Sequence, residues 1–439
     1  MPIFLQRVTG VRPQEARAVL WSMLYVIALF LAYYVLRPIR DEMGLAGGVD
    51  NLPWLFTGTL IAMLVVSPLF ALAVRSLPRQ QFIALSYRFF AVNLVLFALL
   101  MQFTGPQWQL WIGRAFFIWV SVFNLFVVSV FWSLIVDIFD SEQGKRLFGI
   151  LAAGATIGAI LGSTITSLLV ENVGSLWLIA IAIIFLEFAV LTSRRLSFLA
   201  RLVEPSGHHE DSNKPLGGGV LTGLIHTVRS PYLAGLALFI LLYSITSTFL
   251  YFQQASIAQA NFPDRAGRTA FFANIDLVVN LITLCLQLFV TGRLISALGI
   301  VATLCILPLV SVAGFAALAT NPSTAALVAA QVARRAANFA IARPAREILF
   351  TSSSREDRYK AKNFIDTVVY RGGDQVASWS YAGLMGLGLA LGQLAVVAIP
   401  LSVVWLVLSI WLGRSHQRQE AQMARATDET QARLQAGES

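Results

Sequence analysis

The residues able to act on a solute are charged side chains set inside apolar runs. Between positions 323 and 350 stand Arg334, Arg335, Asn338, Arg343, Arg346 and Glu347. A charge at the bilayer centre is costly, so these groups are expected to face protein or water. Arginine is permanently ionised, and its planar fork of donors binds carboxylate or phosphate through charge-assisted hydrogen bonds. At helical spacing Arg335, Asn338, Arg343 and Arg346 share one broad arc expected to face the bundle interior, with Arg334 to one side. Arg334 and Arg335 lie deeper and are read as lining an aqueous cavity that attracts anions. For Arg343 and Arg346 two readings stand: contact with solute, or a network with Glu347, Asp366 or Asp374 in which the pair closes a cytoplasmic gate. Pro344 removes a backbone donor and predicts a bend or distorted turn between Arg343 and Arg346.

A second constellation is Tyr370-Arg371-Gly372-Gly373-Asp374-Gln375. Adjacent glycines beside two opposite charges predict a loosened helix, tolerated at that depth only against protein or a water-filled cavity. It reads as a transport site or hinge, or as an Arg371–Asp374 pair that merely stabilises its helix. Tyr243, Ser244, Thr246, Ser247, Thr248, Tyr251, Gln253 and Gln254, with Asn274, Asp276 and Asn280, predict a wet interior face. Asp276 either exchanges a proton or is solvated near an outer helix end, solvation being favoured. Glu187 either pairs with an arginine or is held protonated by burial. Arg114 either snorkels to the outer interface or lines a cavity. Gly154, Gly158 and Gly162 at four-residue spacing predict close helix packing rather than solute contact.

No spacing suits a metal, no phosphate loop occurs, and no nucleophile has a base beside it, so neither an enzyme, a cofactor, a bound metal nor ATP-driven transport is expected. Cys285 and Cys305 fall in apolar runs and read as packing residues.

The elements that must position these groups follow from composition. Of 439 residues 57% are apolar and 13% charged, about half the charge of a soluble domain. Apolar runs long enough to cross about 30 Å of hydrocarbon recur throughout. They predict an all-α membrane protein of twelve transmembrane helices at about 18–36, 53–74, 82–103, 108–136, 147–170, 175–192, 232–256, 270–297, 299–320, 323–350, 363–391 and 393–413. The first run is too long for a signal peptide and has no cleavage site after it.

The net charge of +9 sits mainly in short connections, so the positive-inside rule accounts for it without nucleic acid. It predicts an inner (plasma) membrane protein with both termini cytoplasmic, with only Arg37, Arg40, Arg265 and Arg268 outside. A six-helix bundle is expected over 1–193, a cytoplasmic linker over 194–231, a second bundle over 232–413 and a cytoplasmic tail over 414–439. The linker holds His208-His209-Glu210-Asp211, Lys214-Pro215 and Gly217-Gly218-Gly219. The tail is expected to form a short polar helix or none. Asn124 and Asn338, each ahead of a charged loop and a glycine-bearing helix, suggest a parallel repeat, an arrangement that holds solute between two halves. The partners expected are a small solute and the lipid bilayer; oligomeric state is not legible.

The segment Tyr33-Tyr34-Val-Leu-Arg37-Pro-Ile-Arg40-Asp41-Glu42 resembles the end of the first span in the nucleotide transporter family, the ATP/ADP translocases of plastids and intracellular bacteria. Further similar stretches run from Phe131-Trp132 to Gly149, from Tyr243 to Pro263, and from Pro344-Ala-Arg346-Glu347 to Asp366 and Arg371. The resemblance implies a major facilitator-like, alternating-access carrier of phosphate-bearing anions. It places Arg37, Arg40, Arg346 and Arg371 near the path, with Asp41, Glu347 and Asp366 as gating or structural charges. Where those exchangers carry a glutamate and lysines in span seven, this chain has Tyr251, Ala255 and Ile257, and Asp374 stands in place of a lysine. An anionic solute with fewer charges than ATP is therefore expected, with Tyr251, Tyr370 and Asp374 among the binding residues. The alternatives are an ATP/ADP-type exchanger, and a non-transporting scaffold or sensor.

Overall fold

The computed structural model describes residues 12, 15–76, 79–139, 141–203, 220–350, 361–362 and 364–437. Among them the backbone is helical with short turns and no strand, as a chain must be whose backbone groups are satisfied within each segment in lipid. The helices are α1 (Ala16–Leu45), α2 (Leu52–Ser76), α3 (Arg79–Phe103), α4 (Pro106–Ile138), α5 (Ser141–Val203), α6 (Val220–Arg229), α7 (Pro231–Asn261), α8 (Arg265–Phe289), α9 (Thr291–Thr320), α10 (Thr324–Ala337), α11 (Arg343–Leu349), α12 (Tyr370–Gly386) and α13 (Leu391–Gly437).

Nine stretches among the described residues are long and apolar enough to cross a membrane. One of them, Leu147–Leu199, spans two helices that meet at Gly174, whose φ of 75° and ψ of 173° lie where only glycine sits without strain. Gly299 breaks α9 in the same way, with φ 70° and ψ 174°. The charge-rich segments 324–349 and 365–386 lie outside the nine and are interrupted by π-helical turns, Asn338–Ala342 and Ile365–Val369.

Three expectations are corrected in these segments. The distortion expected between Arg343 and Arg346 lies one turn earlier, because Pro344 cannot donate to the Ala340 carbonyl and its ring crowds it. That carbonyl accepts instead from Thr291 Oγ1 at 2.8 Å. Arg343 is exposed, and Arg334, expected off the inward arc, is the deeply buried arginine. In the second segment Gly372 and Gly373 lie inside regular α12, and the irregular backbone precedes them.

The chain forms two compact units, Met1–Asn213 with Gln254–Leu284, and Lys214–Gln253 with Cys285–Ser439. The division passes through α7 and α8, whose linked ends belong to the first unit. In that unit α5 lies against α1 at backbone distance. A Cβ on Gly158 would sit 2.5 Å from the Ile27 carbonyl oxygen, and one on Gly162 2.5 Å from that of Leu31, so the three-glycine stripe is a packing surface. The core beside it is aromatic, with Phe90, Phe97, Phe116, Trp119 and Phe123 in edge and stacked contact.

Residues 194–203, read as linker, continue α5, and 220–229 form α6. His208 to Asp211, Lys214-Pro215, Gly217 to Gly219 and the loop arginines Arg355 and Arg358 lie outside the described residues. The tail is helical to Gly437 and continuous with α13.

Candidate functional site

The second unit has a polar interior built by α7, α9, α10 and α12. Ser323 caps α10, accepting from the Ala326 amide at 3.3 Å, and the helix carries Arg334 inward until it is 2% exposed. Arg334 Nε donates to Ser311 Oγ at 3.1 Å, and Nη2 donates to the Tyr243 carbonyl and Thr246 Oγ1, both at 3.0 Å. Its guanidinium also lies 5.2 Å from the Tyr243 ring centroid. No carboxylate among the described residues pairs with it.

Next to it stands Asp374, 6% exposed. It accepts from Ser244 Oγ at 2.6 Å and Thr248 Oγ1 at 3.0 Å, and its other oxygen is 3.2 Å from Arg371 Nη1. The Ser244 hydroxyl also lies 2.8 Å from the Tyr370 carbonyl, and with one proton it serves one acceptor at a time. Gly373 makes this approach of α7 possible, since a Cβ there would lie 2.7 Å from Ser244 Cβ. The Tyr243 and Tyr370 rings, 6.0 Å apart, join the two halves of the cluster. Tyr251, a turn beyond Thr248 on α7, is half-buried, as are Arg335 and Asn338. Chemically the cluster offers one arginine whose partners are all neutral, one arginine matched to a carboxylate, and a ring of hydroxyls.

A second charge group lies on α11 and in the segment leading into α12. Arg346 Nη2 is 3.4 Å from Asp366 and 3.8 Å from Glu347, and Lys362 also bonds Glu347. Arg346 thus stands in an ion-pair network with Glu347 and Asp366.

The first unit holds the others. Arg37 pairs with Asp276 at 3.2 Å, and Asp276 is 2% exposed, which corrects the expectation that it is solvated: α8 turns it onto α1, where burial demands a partner. Arg40 donates to the neighbouring Asp41 through Nε at 3.0 Å and lies over Phe117. Glu42, 1% exposed, receives a fork from Arg265, with Nε at 3.0 Å and Nη2 at 3.1 Å, and a further bond from Arg268 at 3.1 Å. Glu187 lies 3.7 Å from Arg88, so the paired reading of that acid holds. Arg114 bonds Asn51 at 3.0 Å, at the loop end of α4, as a snorkelling arginine does.

All four arginines implied by the resemblance thus stand against carboxylates. Sequence reasoning missed the Glu42–Arg265–Arg268 clamp, whose members lie more than 220 positions apart, and the roles of Ser311 and Thr291. An acid buried beside outer arginines was the available signal for the clamp.

No protein-family model matches the chain. Over 347 residues, 69% of the chain, the sequence is 22% identical to ADP,ATP carrier protein 1 of Chlamydia trachomatis serovar D, and it spans 65% of that carrier's length. Among solved structures, a bacterial homologue of the human lysosomal transporter Spinster, in an inward-facing and unoccupied conformation, matches with a TM-score of 0.61 at 14% identity, covering 93% of this chain and 99% of that one. A single-residue mutant of the nucleoside transporter NupG matches with a TM-score of 0.57 at 14% identity, covering 92% and 99%. The chain is therefore an integral, all-α membrane protein with a major facilitator-like fold, similar in sequence to nucleotide carriers.

Proposed function

We propose that the protein is a secondary active transporter that moves a small organic anion, carboxylate- or phosphate-bearing, by alternating access. The observation that carries this reading is Arg334, a buried guanidinium with only neutral partners, set in a hydroxyl-lined cluster on four helices. A desolvated cation of this kind favours an anion with which it can form charge-assisted bonds. Arg371 is neutralised locally by Asp374, which leaves Arg334 as the buried arginine of the cluster with only neutral partners. That favours a solute with fewer charges than a nucleoside triphosphate, which needs several cations close by. The proposed binding set is Arg334, Arg335, Asn338, Tyr370, Arg371, Asp374 and Tyr251. Arg37, Arg40, Asp41, Arg346, Glu347 and Asp366 flank the path as gate or structural charges.

The topology belongs to the same proposal. Twelve spans result when 147–199 is counted as two and 324–349 and 365–386 are added to the remaining apolar helices. Bundles at 1–193 and 232–413 and a linker at 194–231 rest on the change of composition between spans six and seven and on the parallel repeat; cytoplasmic termini and residence in the inner membrane rest on the distribution of Lys and Arg.

A ligand that binds folded protein raises its apparent stability by mass action. Thermal unfolding of the purified protein with carboxylates, sugar phosphates, nucleoside phosphates and lipid precursors tests the reading. A Tm increase with an anion, lost in Arg334→Gln, is expected; a folded protein that responds to no anion contradicts it. The likeness to the chlamydial ADP,ATP carrier favours ATP/ADP exchange as the second reading.

A further inference from the structure

Away from the polar cluster, the first unit carries a groove of about 520 Å³ lined by Trp21 of α1 and by Phe188, Leu191, Arg194, Arg195 and Phe198 of α5. Phe188, Leu191 and Phe198 are exposed, as are both arginines. We infer that this groove is a binding site for an anionic phospholipid, its phosphate held by Arg194 and Arg195 and its acyl chains laid against Phe188, Leu191 and Trp21.

Three features support this occupant. The first is depth: Arg194 lies twenty residues beyond the break at Gly174, roughly 30 Å along a helix, which is the thickness of the hydrocarbon layer. The arginines therefore stand at headgroup level, and Phe188 and Leu191 one to two turns deeper, among acyl chains. The second is charge. Neither arginine pairs with a carboxylate among the described residues, and the nearest acid on the same helix, Glu187, is engaged with Arg88 at 3.7 Å. The groove mouth is thus doubly positive, and basic pockets between transmembrane helices are suited to acidic headgroups. The third is shape: a recess between two helices, apolar below and cationic above, with the amphipathic Trp21 on its wall, suits one amphiphile better than a free ion, which would leave the apolar lining uncovered.

The test compares phosphatidylglycerol with phosphatidylcholine on the delipidated, full-length protein, reading lipid retention by native mass spectrometry and Tm by thermal unfolding. Phosphatidylglycerol is expected to be retained and to raise Tm, phosphatidylcholine not; equal retention of the two lipids overturns the site. The Arg194→Gln/Arg195→Gln variant is expected to bind phosphatidylglycerol at least about tenfold more weakly, and Arg194→Lys/Arg195→Lys to keep most of the affinity. Parent-like binding by the glutamine variant overturns the assignment. Should that variant not accumulate, Trp21→Ala supplies the second reading: weaker phosphatidylglycerol binding is expected, unchanged binding contradicts. Inorganic phosphate or glycerol phosphate giving the full Tm shift would mark a free-anion site and reject the lipid. A failure here leaves the transport proposal standing, because Arg334 plays no part in it.

Discussion

A guanidinium held by two hydroxyls and a carbonyl is solvated but not neutralised, and Arg334 is in that position. If its charge serves a solute, Arg334→Gln loses anion binding by roughly 10- to 100-fold, the worth of a charged hydrogen bond or two, while Tm stays level or rises because an unpaired buried charge has gone. Isothermal titration and thermal unfolding of the same preparation check both halves. A fall in Tm with unchanged affinity would make Arg334 structural. Asp374→Asn should act the other way: it frees Arg371, so affinity for more highly charged anions rises by about tenfold. The residue types of this cluster were legible in the sequence, since charge inside an apolar run is rare. Which arginine turns inward was not, because that depends on helical phase.

At the scale of the element, that turn is held by a bond from another helix. Thr291 donates to the carbonyl that Pro344 leaves without a partner, so Thr291→Val should destabilise the fold by about 1–2 kcal/mol, the cost of a buried unpaired carbonyl; unfolding in mixed micelles measures it. The glycine stripe of α5 makes a sterner demand. Gly158→Leu forces carbon into the Ile27 carbonyl, 2.5 Å from the position of a Cβ, and is expected to abolish accumulation of folded protein, read by fluorescence-detected size exclusion. The same substitution at Gly149, where a Cβ meets nothing within 4 Å, should be tolerated. Hydropathy located the strongly apolar helices because their pattern is local. The pairing of α1 with α5 shows in the sequence only as a four-residue glycine spacing, and the end of α5 beyond Arg194 was hidden by its three arginines, which read as a cytoplasmic boundary.

For the whole molecule, the ends of α7 and α8 that pack with α1 are fixed by the Arg37–Asp276 pair and the Glu42 clamp, and the alternating-access proposal requires such contacts to release for the protein to open on that side. Glu42→Gln should loosen them: in a background lacking Cys285 and Cys305, the thiol introduced by Thr269→Cys, at a buried position, should be labelled several-fold faster with the glutamine substitution than without it. Equal rates would assign the clamp to folding alone. Partners more than 220 positions apart could not be read from sequence pattern, although the Arg37 and Arg40 motif marked where one side of the contact lay. The most direct test of the central claim is counterflow in proteoliposomes containing the purified chain, loaded in turn with carboxylates, sugar phosphates and nucleoside mono-, di- and triphosphates. Saturable movement of an anion smaller in charge than ATP, abolished by Arg334→Gln, is the result expected. Absence of movement for every solute with folded protein, or ATP/ADP exchange that survives Arg334→Gln, would contradict it.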